Sequence, residues 1–256
     1  MKRLLLCSGV YGERHGIEAL LRFAAEQRPD AILFAGGILS PDRQVRQCSS
    51  SPWGLTLDDT RFLHEFGAAL GGLGVFCAVI PRANFEPLDE LCRWGMNVEL
   101  EFPHVHLVHA TLVEERDLAV CGLGVTIAEE ALMREDCYSR IRALYFLRSL
   151  RTSVKPRTVL LLPAPPPGVL GGPEGNVVIG ELIDSLRPSL CVVAGRTERR
   201  GLQKIASTSI VNPGSLADGS AALLDWGRRS AEEVKLLQLS DVASAATCPV
   251  GDAPTA

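Results

Sequence analysis

Histidine is scarce and one-sided in this chain: the five residues lie at positions 15, 64, 104, 106 and 109, and the 147 positions that follow contain none. No imidazole from that long C-terminal part can hold a metal or shuttle a proton. The eight cysteines, at 7, 48, 77, 92, 121, 137, 191 and 248, never form a Cys-x-x-Cys pair, which excludes zinc-ribbon and thioredoxin spacings. Several sit inside apolar runs and read as small buried hydrophobes in a reduced cytoplasm. No apolar stretch reaches the roughly 18 uninterrupted residues of a membrane span, so the chain is expected to be soluble. The opening "MKRLLLCSG" sets basic residues before Leu-Leu-Leu-Cys, yet a signal h-region needs about 7 to 15 apolar residues and this run has about four. It reads as a first strand. A dominant charge of one sign is missing too: 26 basic against 30 acidic residues give a net charge of −4 and a pI near 5.8. Nothing there draws the chain to nucleic acid or to an anionic membrane.

What is present is apolar patterning. Hydrophobic residues fill 46% of the 256 positions, enough for one large domain with a sizeable core. Short apolar runs ending in Gly or Pro alternate with segments of helical period, the pattern of βαβ units around a mostly parallel sheet. Strands are expected at 3–9, 30–38 and 75–81, with helices over 16–28 and 57–70 between them. After a short helix near 87–94 the spacing tightens to "NVELE", "HVHLVHA" and "LAVCGLG", the last two reading as a hairpin. A long helix over 128–150 leads into "TVLLLPAP". A helix over 175–186 precedes a strand at 190–195, and "TSIVNPG", "AALLDW" and "VKLLQL" follow as antiparallel strands. The polar stretch 40–55 reads as a surface insertion. Residues 240–256, rich in Ala, Ser, Thr, Pro and Gly, read as a disordered tail, which leaves one domain over 1–239. No repeat of fixed period is present.

The chemistry is expected at the strand ends. "CSGVYG" (7–12), "FAGGIL" (34–39), "IPRANFEP" (80–87), "LLLPAPPPG" (160–168) and "VVAGRTERRG" (192–201) finish in small or turn-forming residues that bring backbone close to an occupant of the crevice. "IVNPGSL" (210–216) closes the series. In order and spacing these runs resemble the calcineurin-like metallophosphoesterase superfamily over about residues 2–238. The resemblance implies a four-layer α/β/β/α sandwich of the metallo-dependent phosphatase type. It also implies Asp, His and Asn ligands that hold two metal ions, which clamp a phosphate and activate water.

Set against that pattern, the motif scaffolds are legible and most ligands are replaced. Gly9 stands where the first Asp is expected, Tyr11 where its His partner would be, and Gly37 in place of the bridging Asp. Asn84 matches the family's Asn ligand and Glu86 the acid that follows, while Phe85 replaces the catalytic His. Pro163 and Ala164 replace the next histidine pair, and Arg196 and Glu198 the last one, after a retained Gly195. Three side chains, Asn84, Glu86 and Glu198, remain as metal candidates.

Several readings stay open. Gly9, Gly12, Gly36, Gly37 and Gly195 fit a backbone cradle for phosphate or simple tight turns, with Gly9, Gly37 and Gly195 the chosen ligand-binding candidates. Arg82 and Arg196, with Asn84, fit a metal-free anion site, because guanidinium binds phosphate through fixed donors; solvated surface arginines are the competing account. His104 and His106 share one strand face and His109 the other, and with no cysteine at ligand spacing they read as hydrogen-bonded strand histidines. His15 beside Glu13 reads as a helix-start surface residue. Asn212 and Ser215 are expected to brace the Pro213–Gly214 turn. The arginines of 139–151 read as an ordinary solvated face.

The expected function is a superfamily member with a degenerate site, lacking two-metal catalysis and binding a small phosphate-bearing ligand or a protein, with no cofactor. One alternative is an active phosphoric ester hydrolase with an atypical site that uses one metal (Mn, Fe or Zn) or none. Another is a protein-interaction module built on the 163–167 loop and the 40–55 insertion. Nucleic acid and membrane partners are not expected, and the cytoplasm is the expected location.

Overall fold

The period-two alternation of the apolar runs sets the layers. In β1 (Arg3–Cys7), Leu5 and Cys7 face one side and Leu4 and Leu6 the other, and all four are fully buried. Such a strand must be covered on both faces. The computed structural model describes residues 2–41, 55–82, 86–130, 136–227 and 233–238. Most of the expected insertion, Asn84, Phe85 and the expected tail lie outside the described residues.

Two six-stranded mixed sheets carry the chain. The first holds β1, β2 (Ala31–Phe34), β3 (Phe76–Val79), β4 (Val105–Leu107), β13 (Ser220–Asp225) and β14 (Glu233–Gln238), in the order β14-β13-β1-β2-β3-β4. The second holds β5 (Leu112–Glu115), β6 (Leu118–Gly122), β9 (Arg157–Leu162), β10 (Leu190–Val193), β11 (Gly201–Ile205) and β12 (Thr208–Asn212), in the order β11-β12-β10-β9-β6-β5. A small parallel pair, β7 (Thr126–Ala128) with β8 (Cys137–Ser139), stands apart.

Three apolar layers bind these sheets. Leu4, Leu6 and Leu33 of the first sheet pack with Val120, Leu161 and Val192 of the second. On the outer face of the first sheet, Ile32 and Phe34 meet Leu20 of α1 (Arg14–Gln27), Phe62 and Phe66 of α2 (Leu57–Gly72), and Leu91 and Val98 of α3 (Leu88–Glu101). On the outer face of the second, Leu160 and Cys191 meet Leu147 of α4 (Arg140–Thr152) and Ile179 and Leu182 of α5 (Val177–Leu186). This is the α/β/β/α sandwich that the resemblance implies.

The structure departs from the local sequence signals at four places. "NVELE" alternates like a strand, but Leu91, Gly95 and Val98 form one buried helical stripe, so α3 runs on to Glu101. The hairpin pairs β5 with β6; "HVHLVHA" instead lays β4 beside β3 in the other sheet. The helix expected from 128 begins at Arg140, where the Ser139 hydroxyl accepts from the Arg142 N–H, and Ile127 belongs to β7. β12 pairs antiparallel with β11, a strand not expected, and parallel with β10.

Candidate functional site

β1, β2 and β3 are parallel, so their C-terminal loops leave from one rim. There Gly9, Tyr11, Gly36 and Gly37 all have φ between 49° and 85°, a region that glycine enters without steric cost and tyrosine does not. The 9–12 loop is sewn to the next one. The Gly9 N–H donates to the Gly36 carbonyl at 2.8 Å, Tyr11 to Gly37 at 2.9 Å and Gly12 to Ile38 at 2.8 Å. The Gly9 donor that a phosphate cradle would use is thus taken up by the neighbouring loop.

The left-handed twist at Tyr11 folds its ring back over both glycines. A Cβ added at Gly9 would lie 2.8 Å from Tyr11 Cε2, and one at Gly37 2.8 Å from Cε1. The two positions point at opposite edges of one ring. Its hydroxyl accepts from Arg82 Nη1 at 2.9 Å. Arg82 is partly buried, so a guanidinium and a phenol share the rim.

Glu86 is 1% exposed and serves the backbone. Its Oε1 accepts from the N–H groups of Ile38 and Leu39, and its Oε2 from that of Arg82 at 2.5 Å. The carboxylate therefore staples the loop after β3 to the loop after β2. Burial pushes its pKa up to about 7, against the pull of those three N–H groups and of Arg82.

The second sheet ends in an equally tied rim. Asn212 is fully buried; its Nδ2 donates to the carbonyls of Arg196 and Arg199 at 3.1 and 3.0 Å, and its Oδ1 accepts from Gly214. Ser8 donates to the Gly214 carbonyl and Ser215 to that of Gly9, joining the rims of the two sheets. Gln203 holds the proline loop through the Pro167 carbonyl, and Asn176 donates its N–H to Pro165. Arg196 and Glu198 are exposed on the 196–200 turn, and Arg196 Nη2 lies 3.4 Å from Glu174 in a solvent-exposed pair.

The histidines are tied elsewhere. His104 meets the Gly71 carbonyl and His106 the Glu99 carboxylate. His109 Nδ1 accepts from the Gly124 N–H and Nε2 faces the Tyr138 hydroxyl at 3.3 Å, while burial lowers its pKa to about 4. His15 lies on the surface against the Ala217 carbonyl. Among the described residues no three His, Cys, Asp or Glu side chains are grouped as a metal site. The structure thus brings Arg82, Glu86, Gly9 and Gly37 to one rim and Gly195, Arg196 and Glu198 to the other. Asn84 lies outside the described residues.

Residues 1–237 match the family model described as "Metallophosphoesterase, calcineurin superfamily". The chain belongs to that superfamily. Among solved structures, this metallophosphoesterase-superfamily chain is similar to TT1561 of Thermus thermophilus, with 24% identity, a TM-score of 0.77, and coverage of 93% of this chain and 99% of that one. It is also similar to a dimetal phosphatase from Danio rerio, with 9% identity, a TM-score of 0.65 and the same coverage. At these identities the likeness concerns the fold. No curated protein matches the chain. The residue that sequence reasoning passed over is Tyr11, noted only as a replacement. Its signal was a bulky ring inside "GVYG", a strand-end run that opens and closes on glycine.

Proposed function

We propose that this chain keeps the metallophosphoesterase scaffold without two-metal chemistry and acts by binding, taking a phosphate-bearing ligand at the rim where Tyr11 meets Arg82. The observation that carries this reading is the Tyr11 ring seated against Gly9 and Gly37. At the two positions where the family resemblance expects carboxylates there is no side chain, and an aromatic ring fills the volume those carboxylates would enter. The described residues do not fit a pair of divalent ions, which need several converging anionic or imidazole ligands. Glu86 turns both oxygens to backbone N–H groups, and Glu198 lies exposed on its turn.

A guanidinium can hold an anion without a metal. Arg82 donates to the Tyr11 oxygen, which polarises the phenol and strengthens its own O–H as a donor toward a phosphate oxygen. Among the described residues, Arg196 on the neighbouring rim has only an exposed pairing with Glu174 to give up. Glu86 beneath Arg82 offsets part of the positive charge, which favours a modest affinity.

The test is metal analysis of the purified chain, turnover of a generic phosphodiester with added manganese, and calorimetric titration with inorganic phosphate. The expected result is no stoichiometric metal, no turnover, and phosphate binding that Arg82→Ala weakens about tenfold or more. Two divalent ions per chain with manganese-dependent turnover would overturn the proposal.

A further inference from the structure

Two outer helices on opposite layers of the sandwich, α4 and α3, carry opposite charge. In α4, Arg140, Arg142, Arg148 and Arg151 are accompanied by no acidic residue. Among the described residues only Arg140 of these finds carboxylates, those of Glu129 at 3.4 Å and Glu181 at 3.7 Å. With Ala143, Leu147 and Leu150 buried, the opposite stripe presents Ile141, Tyr145 and Arg148 to solvent; Ile141 is 75% and Tyr145 58% exposed. The Arg148 guanidinium lies 3.7 Å from the centre of the Tyr145 ring, so the two form one protruding apolar and cationic knob.

On the other layer, α3 carries Asp89, Glu90, Glu99 and Glu101 against Arg93 alone. Met96 and Leu100, at 62% and 83%, are exposed on it. Beside that face a cavity of about 550 Å³ opens between α2 and α3. Its apolar lining includes Leu63, Trp94, Val98 and Phe102, with Glu90 and Glu101 among the polar residues that edge it. Glu90 already pairs with Arg93 at 2.9 Å, which leaves Glu101 as the carboxylate without a partner there among the described residues.

A knob and an opposite-charge hollow on opposite outer layers cannot meet within one chain. We propose that they meet between chains: α4 of one copy seats Tyr145 and Ile141 in the α2–α3 hollow of the next, with Arg148 and Arg151 against the carboxylates of α3. The contact is heterologous, so an associated pair keeps one free knob and one free hollow, and association is open-ended unless a ring closes. It is small and rich in exposed charge, which makes it weak and salt-sensitive. The complementarity of charge selects a second copy as the occupant; an unrelated acidic partner for α4 is the competing outcome.

Sedimentation velocity of the full chain over a range of concentrations tests this. In about 0.1 M salt the sedimentation coefficient should climb with concentration, and in about 1 M salt the climb should shrink. R148E/R151E and E90K/E101K should each weaken self-association about tenfold, and Tyr145→Ala should weaken it at either salt. Mixed together, the two charge variants should regain association, because the unaltered knob of one meets the unaltered hollow of the other and the two reversed surfaces pair with their charges exchanged. A chain that stays monomeric throughout, or whose association ignores all three variants, overturns the proposal. A mixture that fails to associate overturns the head-to-tail pairing, and capture of an acidic peptide by a monomeric chain assigns α4 to another partner.

Discussion

Tyr11 concentrates several constraints in one residue. Its backbone lies in the left-handed region, its ring covers two glycines and its hydroxyl takes a hydrogen bond from Arg82. A methyl at Gly37 would meet the ring at 2.8 Å and the Gly9 Cα at 3.0 Å, on a backbone with φ of 81°. Gly37→Ala is therefore expected to cost about 1–3 kcal/mol in urea denaturation. Part of that loss should return in the double variant with Tyr11→Ala, because the clash with the ring disappears while the backbone strain stays. Full additivity would show that the ring does not occupy this space in solution.

Glu86 gives the residue scale a pH signature. Its pKa is raised from 4.5 to about 7 by burial, so between those values the folded chain holds a proton that the unfolded chain has released. The stability this group contributes is fully present below about pH 4.5 and is lost as the pH rises through about 7. Glu86→Gln should flatten the fall in stability between about pH 5 and pH 8 by up to about 3 kcal/mol. An unchanged slope in calorimetric melts would mean that Glu86 titrates normally.

Among the elements, those built on sustained periodicity were legible and those decided by partners were not. Leu4 to Cys7 could only be a strand buried on both faces, and α1 showed its stripe. By contrast, "NVELE" satisfies both periods at once; what decided for helix was Leu91 and Val98 packing on the first sheet. The start of α4 depended on the Ser139 cap, a single hydroxyl. The site was half legible for the same reason. The residue types at the strand ends could be read, but Tyr11 folding onto two glycines is a matter of backbone dihedrals that side-chain types do not encode. At this scale Asn212→Ala should loosen the end of β12, since it removes three hydrogen bonds in a buried setting. A lower urea midpoint, equivalent to about 3 kcal/mol, is expected.

For the whole molecule, the layer between the sheets decides cooperativity. Leu161 is fully buried there and packs in one cluster with strands of both sheets. Leu161→Ala should cost about 2–5 kcal/mol while leaving one unfolding transition by circular dichroism and fluorescence. Two separated transitions would mean that the sheets unfold as independent halves.

The free cysteines offer an internal clock for such openings. Cys7 and Cys77 lie in the apolar layer under α1 and α2, and Cys121 and Cys191 in the layer under α4 and α5. Burial holds their protons tightly, with Cys77 pushed up to about 12 and Cys121 to about 11. An alkylating reagent attacks only an exposed thiolate, so each of the four should be tagged no faster than its own layer breathes. Peptide-resolved labelling rates would then time the two shells of the sandwich separately, without a single residue being replaced.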